Sequence, residues 1–266
     1  MSQCFNGLTT VNVELTNKCN KNCWMCGRRK IDREYPEFAL NYGEMDFELV
    51  KSIAEQLPDG IVVQLHNNGE PLMYPKFKEA AALFKRQIRC VDTNGILLLE
   101  RAADVIDNLD TLTISTFEND EEGEKQHGII EQFLKLKGDR KPNVIIRCLG
   151  KVDVERYKKY GFIIATRILH SPMGSFKYTK KTTVPEIGVC LDLLNHMAIR
   201  TDGSVSICVR LDPQDKGIIG NCKEAPLVDI WNNQKRRGWI EQHLKGDRRS
   251  VPLCSTCEFW GVPTGY

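Results

Sequence analysis

Eleven cysteines in a chain of 266 residues are the residues whose chemistry asks for an explanation. Cys19, Cys23 and Cys26 lie together as Cys-x3-Cys-x2-Cys. Three thiolates on one short loop can hold a single soft metal centre. A 4Fe–4S cluster ordinarily takes four cysteines, one per iron. Three ligands would therefore leave one iron open to a small molecule, as catalytic zinc sites leave one position open. Lys18, Lys21, Arg28 and Arg29 surround the loop and would offset the thiolate charge. A second set is Cys190, Cys208, Cys254 and Cys257, the last pair spaced as Cys-x2-Cys. Four thiolates would saturate a cluster and suit it to electron transfer or structure. The alternative for both sets is structural zinc, with a fourth ligand from elsewhere for the first set and a zinc ribbon for the second.

Cys4, Cys90, Cys148 and Cys222 remain. A free cysteine is most often a small buried hydrophobe. Cys90 alternates within an apolar stretch and reads as core. Cys148 falls at the carboxyl end of a strand and could donate a hydrogen atom to a substrate radical, and Cys222 is a second candidate donor. His66, Glu118, His170 and Lys177 follow strands and could serve as acid, base or substrate contacts. His127 and His196 have no such placement.

The elements that must position these residues alternate along the first two-thirds of the chain. Strands are expected at Thr10 to Leu15, Ile61 to Leu65, Ile88 to Asp92, Thr111 to Ser115, Val144 to Cys148 and Ile163 to Leu169. Helices are expected at Met45 to Leu57, from Pro75, at Leu97 to Ile106, Ile129 to Leu136 and Val154 to Tyr160. Nearly six strand–helix units argue for a parallel sheet with helices outside it and a site at the carboxyl ends of the strands. Ser171 to Gly188 is polar and reads as a linker or lid. Leu194 to Ile199 and Val205 to Val209 flank Thr201-Asp202-Gly203-Ser204, a hairpin signal. A helical stretch lies within Leu227 to Leu244. Lys plus Arg total 37 and Asp plus Glu total 35, a net charge of +2. That balance gives no electrostatic case for nucleic acid or a membrane surface. Apolar runs are too short to span a bilayer, and the first residues lack the pattern of a signal peptide. Cysteines without a secretion signal point to a cytoplasmic protein that binds metal.

The stretch Cys19-Asn20-Lys21-Asn22-Cys23-Trp24-Met25-Cys26, aromatic Trp24 included, resembles the cluster motif of the radical S-adenosylmethionine (radical SAM) family. The resemblance covers roughly residues 8 to 170 and implies an α/β fold, a partial (β/α)6 TIM-like barrel. Asn67-Asn68-Gly69-Glu70-Pro71 resembles the family's Gly-Gly-Glu-Pro stretch, which contacts the amino group of SAM, with Asn68 standing where the family has its first glycine. Thr93-Asn94-Gly95 looks like the family's Thr-Asn-Gly turn. Ser115 sits where relatives bind the ribose or carboxylate of SAM, and Arg147 could hold the carboxylate in a bidentate pair. Trp24, Asn68, Gly69, Glu70, Pro71, Asn94, Ser115 and Arg147 are thus the implied cofactor contacts. The C-terminal cysteines, with Gly220-Asn221 and Leu227-x2-Ile230-Trp231, resemble the twitch domain, a shortened SPASM domain built on a β-hairpin and a helix. The chain then divides into a barrel over 1–180 and a twitch domain over 181–266. The absence of further cysteines after Cys257 implies one auxiliary cluster.

The resemblance implies two 4Fe–4S clusters, SAM, a small polar substrate and an electron donor such as flavodoxin or ferredoxin. Its length and single auxiliary cluster are similar to the aminocyclitol-dehydrogenase branch of the family. There a 5′-deoxyadenosyl radical takes a hydrogen atom from carbon, the auxiliary cluster accepts an electron, and an alcohol becomes a ketone. Cys148 and His170 are the candidate catalytic residues. Alternatives are sugar epimerisation with a cysteine donor, or peptide modification, for which only 18 residues precede Cys19. From another class comes a zinc-stabilised, non-enzymatic binding protein. Anaerobic purification should give a brown protein with about eight irons per chain, from two four-iron clusters. Iron and zinc analysis decides it: full zinc occupancy without iron contradicts the cluster reading.

Overall fold

The computed structural model describes residues 4–167, 169 and 188–257. His170, Lys177, the boundary between residues 180 and 181, and nearly all of the expected linker lie outside the described residues. The elements run β1 (Thr10–Val13), α1 (Gly27–Glu34), α2 (Phe47–Gln56), β2 (Val62–Gln64), α3 (Phe77–Leu83), β3 (Ile88–Thr93), α4 (Ala102–Val105), β4 (Thr111–Phe117), α5 (Gly123–Lys137), β5 (Asn143–Leu149), α6 (Glu155–Lys158) and β6 (Ile163–Arg167). The chain continues with α7 (Leu191–Asn195), β7 (His196–Ile199), β8 (Ser204–Ser206), β9 (Ile218–Asn221), α8 (Leu227–Trp231) and α9 (Gln234–Leu244).

One sheet carries all the described strands, in the order β6-β5-β4-β3-β2-β1-β7-β8-β9. Pairing from β6 through β1 is parallel. The expected six-strand partial barrel is present, with the helices of each unit between successive strands. β7 also pairs parallel to β1, with Thr10 opposite His196. The C-terminal hairpin is therefore a continuation of the barrel sheet, and β8 and β9 extend it with antiparallel pairing.

Burial alternates along the strands. Val11, Val13, Val63, Val91, Leu112, Ile114, Val144 and Ile146 are buried in a single hydrophobic core with Ile53, Phe77, Phe84 and Phe133 from the helices. The intervening positions are polar: Asn12, Gln64, Asp92, Thr113, Ser115 and Arg147. A sheet covered by helices on one face, with a lumen on the other, requires this period of two.

Where boundaries differ from the sequence expectation, a specific contact explains the shift. α2 starts at Phe47 because the Asp46 side chain caps it, accepting from the amides of Glu48 and Leu49 at 2.9 and 3.2 Å. α5 starts six residues before Ile129. Its polar first turn is fixed by buried Gln126, whose Nε2 donates to the carbonyls of Asn94 (2.6 Å) and Ser115 (2.9 Å). The single expected stretch from Leu227 is two helices, divided where Asn233 caps α9 through the amide of Arg236 at 2.8 Å. The stretch from Leu97 is mostly turns, with only Ala102–Val105 helical. α1 and β9 were not expected. Among the described residues no helix is long and apolar enough to cross a membrane. Phe133→Ala should destabilise the fold by about 3–5 kcal/mol, because Phe133 is fully buried between α5 and the sheet, and urea unfolding measures this.

Candidate active site

The cluster loop leaves β1 at its carboxyl end and turns into α1. Cys19, Cys23 and Cys26 all line one cavity of about 510 Å³. The Cys26 amide donates to the Cys23 carbonyl at 3.1 Å and closes a turn. Burial raises the Cys19 thiol above its usual range. Burial also pushes Cys23 up to about 11, with Lys21 opposing and the neighbouring Cys19 and Cys26 adding. Lys21 is itself buried, 2.6 Å from Asp120 and over the Phe117 ring, so it pins the loop to the segment after β4.

The Asn67–Pro71 loop packs directly on this loop. The Glu70 amide donates to the Lys18 carbonyl at 2.8 Å. Gly69 has φ +152°, and a Cβ there would lie 2.7 Å from the Lys18 carbonyl oxygen and 2.8 Å from that of Thr16. Only glycine fits so close an approach. Arg28 donates to the carbonyls of Asn17 and Asn68 and ties the two loops together. The Glu70 carboxylate accepts from Thr93 Oγ1 (2.7 Å), the Asn94 amide (2.8 Å) and the Leu72 amide (3.1 Å). Burial raises its pKa to about 7 against those bonds. Glu70 thus fastens the second loop to the Thr93-Asn94-Gly95 turn. Asn94 Nδ2 donates to Asn20 at 2.7 Å and approaches the Cys19 sulfur at 3.8 Å.

The floor of the cavity holds His66, Asp92 and Arg147, from the ends of β2, β3 and β5. Arg147 Nη1 is paired with Asp92. His66 Nε2 lies 3.5 Å from Asp92, and His66 Nδ1 accepts from the Asp92 amide at 3.1 Å. That last bond assigns the proton of the neutral ring to Nε2. Burial keeps His66 below its usual pKa although Asp92 opposes. Burial alone would raise Asp92, but His66 and Arg147 overturn it and hold the carboxyl below its usual range. Neither Asp92 nor this trio was singled out from sequence, although an acidic residue alternating with apolar neighbours in β3 is a readable signal.

Asn68, Gly69, Glu70, Asn94, Ser115 and Arg147 line the cavity together with the three loop cysteines. Four expectations fall elsewhere. Trp24 is half-exposed and lines a separate, smaller cavity with Phe117. Pro71 is buried beneath the loop. Cys148 is fully buried in the core, 3.5 Å from Thr116 Oγ1, on the face of β5 opposite to Arg147. A hydrogen donor must reach the substrate, and this placement does not allow it. Cys222 is buried and does not line the cavity either.

The second cysteine set gathers beyond β7 and β8. Burial raises Cys190, Cys208 and Cys254, the last to about 12, and Cys257 adds to each of these shifts. Cys190 donates its amide to buried His243 at 3.3 Å, and Cys208 lies 3.7 Å from Asp192. Among the described residues no three His, Cys, Asp or Glu side chains close on a single metal-ion position. The fit to clusters rests instead on donor type: both sets are half-buried, electrostatically coupled thiols, a donor set that iron–sulfur clusters take. Val209, Arg210 and Leu211, directly after Cys208, form a wall of the same 510 Å³ cavity that the first set lines.

Residues 13–169 match the family model of the radical SAM superfamily. The chain belongs to the radical SAM superfamily. Residues 190–258 match SPASM, an iron-sulfur cluster-binding domain. The chain is 25% identical over 261 residues to the S-adenosyl-L-methionine-dependent 2-deoxy-scyllo-inosamine dehydrogenase of Niallia circulans, covering 96% of this chain and 94% of that protein. A segment of 93 residues is 29% identical to the tungsten-containing aldehyde ferredoxin oxidoreductase cofactor-modifying protein of Pyrococcus furiosus, covering 33% and 24% of the two chains. The fold is similar to the crystal structure of BtrN in complex with AdoMet and 2-DOIA, with a TM-score of 0.63, 20% identity and 94% and 92% coverage. It is also similar to Streptococcus suis SuiB bound to S-adenosylmethionine, with a TM-score of 0.60, 14% identity and 95% and 72% coverage. The protein is a radical SAM enzyme of the oxidoreductase type that uses SAM and iron–sulfur clusters.

Gly69→Ala should leave secondary structure intact and weaken SAM binding by at least about 10-fold, since the loop must move away from two carbonyl oxygens. Equilibrium dialysis with SAM on the cluster-loaded protein measures this.

Proposed function

We propose that this enzyme oxidises a secondary alcohol of a small, polar, amine-bearing ring compound, a cyclitol or sugar, to the ketone. The reading rests on one observation: the residues following Cys208 wall the same cavity as Cys19, Cys23 and Cys26. The likeness to a 2-deoxy-scyllo-inosamine dehydrogenase over nearly the whole of both chains supports it. When bound, SAM and a cluster at Cys19, Cys23 and Cys26 supply hydrogen-atom abstraction, and a cluster at Cys190, Cys208, Cys254 and Cys257 supplies the one-electron acceptor. The substrate carbon loses a hydrogen atom. One electron and the hydroxyl proton then leave, and the C–O bond becomes C=O.

The chain's own residues set the stage for these steps. Gly69 lets the second loop lie against the cluster loop, where its backbone carbonyls can meet the SAM amino group. Glu70, by holding the Asn94 turn, fixes the opposite side of that contact. Asp92 can accept a hydrogen bond from the substrate hydroxyl or ammonium. The Arg147 charge keeps it ionised for that purpose. Arg147 gives Nη1 to Asp92 and its Nε is buried, so its role toward a SAM carboxylate falls to Nη2. A one-electron donor of the flavodoxin or ferredoxin kind would complete the cycle. Epimerisation is less well supported, because the cysteines lining the cavity among the described residues are the three of the cluster loop.

Reconstituted anaerobically and reduced, the enzyme should form 5′-deoxyadenosine and a ketone from 2-deoxy-scyllo-inosamine or a close analogue, with no solvent deuterium at the substrate carbon. Cys208→Ala should still cleave SAM while ketone yield falls by about 10²-fold or more, since the proposed electron acceptor is lost. Deuterium incorporation without ketone would refute oxidation.

A further inference from the structure

Asn68 stands where the family pattern has glycine, and the structure shows what its side chain does. Glu14 follows β1 by one residue and is 2% exposed. Its Oε1 accepts from both the Asn68 amide (2.9 Å) and Asn68 Nδ2 (3.0 Å). Its Oε2 accepts from the Thr201 amide at 3.3 Å. Thr201 lies in the turn of the β7–β8 hairpin, which Gly203 closes by donating to the Arg200 carbonyl at 2.9 Å. One buried carboxylate thus joins the Asn67–Pro71 loop to the hairpin that leads to Cys208.

Arg200 hydrogen-bonds to Asp212 and Asp215 and attracts Glu14 only through space, so the hydrogen bonds of the Glu14 carboxylate come from the three N–H groups. A buried carboxylate needs such donors. A second cavity of about 280 Å³ lies here, lined by Glu14, Asn68, Arg200, Thr201 and Leu211 among others. Asn68 and Leu211 wall both this cavity and the larger one. The carboxylate therefore sits behind the partition between the SAM loop and the segment after Cys208.

We infer that Glu14 is a positioning residue that couples the Asn67–Pro71 loop to the β7–β8 hairpin, so that filling the cavity and placing the Cys208 segment occur together. The inference rests on the reading of that loop as a SAM contact. Coupling of this kind is reciprocal: what SAM does to the hairpin, the hairpin must do to SAM affinity.

Thr201→Pro isolates the link. It removes one N–H at the first central position of a turn, a place that accepts proline. Glu14→Gln breaks the same half of the bridge, because its amide would face the Thr201 amide donor to donor. The cluster-loaded enzyme is titrated with SAM by equilibrium dialysis, and the reduced auxiliary cluster is followed by electron paramagnetic resonance with and without SAM. The wild type should show an auxiliary signal that shifts on SAM binding. In both variants that shift should vanish while each cluster keeps its own signal, and SAM affinity should fall about 10-fold. A purely structural Glu14 would lower the melting temperature and leave the SAM-dependent shift in place, which would overturn the inference. So would a wild-type signal that SAM binding leaves unmoved. A wild type that binds no SAM would instead refute the proposed function.

Discussion

The central constraint is the position of β1. It pairs in parallel with β2 on one side and with β7 on the other. Parallel neighbours bring their carboxyl ends out on the same side. Three segments therefore emerge together: the cluster loop after β1, the Asn67–Pro71 loop after β2, and the hairpin turn after β7. No other strand could serve both families of contacts, because β3 to β6 lie on one side of β1 and β8 and β9 on the other. Glu14, at the exit from β1, is hydrogen-bonded to the second and third of these segments.

The lumen of the sheet carries the polar cost of this arrangement. Asn12 donates to the His66 carbonyl at 2.7 Å and meets His196 Nε2 at 2.6 Å. His196 Nδ1 in turn lies 3.6 Å from Asp192, the neighbour of Cys208. On the cavity side, His66 continues to Asp92 and Arg147. Buried polar groups are tolerable only when partnered, and here the partners come from β1, β2, β3, β5 and β7 in turn. A chain of polar contacts thus runs from the floor of the cavity to Cys208 of the second set.

Much of this was legible in the residues. The cysteine spacings, Thr93-Asn94-Gly95, the strands and the hairpin signal at Thr201-Asp202-Gly203 all depend on local pattern. What failed to show depends on contacts between distant residues. Gln126 starts α5 early because it reaches two carbonyls from β4 and the turn after β3, and no periodicity reveals that. Cys148 and Arg147 are adjacent at a strand end, and proximity to the end suggested function for both. The period of two sends Arg147 to the cavity and Cys148 to the core, so the parity set by Val144 and Ile146 would have separated them. Glu70 looked like a cofactor contact by motif, yet its carboxylate is consumed by three donors of the protein. Motif position pointed to a loop that lines the cavity and could not say which atoms of it remain available.

The two cysteine sets differ in what they ask of the fold. Burial and neighbouring thiols disfavour the thiolate form of Cys19 and Cys23 in the first set and of Cys190, Cys208 and Cys254 in the second. A positively charged metal centre reverses that balance, and its binding energy then becomes folding energy. For Cys19, Cys23 and Cys26 the gain is local, because one short loop already holds them together. Cys190, Cys208, Cys254 and Cys257 come from the start of α7, the exit from β8 and the segment after α9. Closing loops of that length costs entropy that a shared centre offsets. The second set therefore acts as a clasp on the C-terminal region, and that region includes Val209 to Leu211, the wall of the cavity. A centre held by these four cysteines would therefore also fix one side of the cavity.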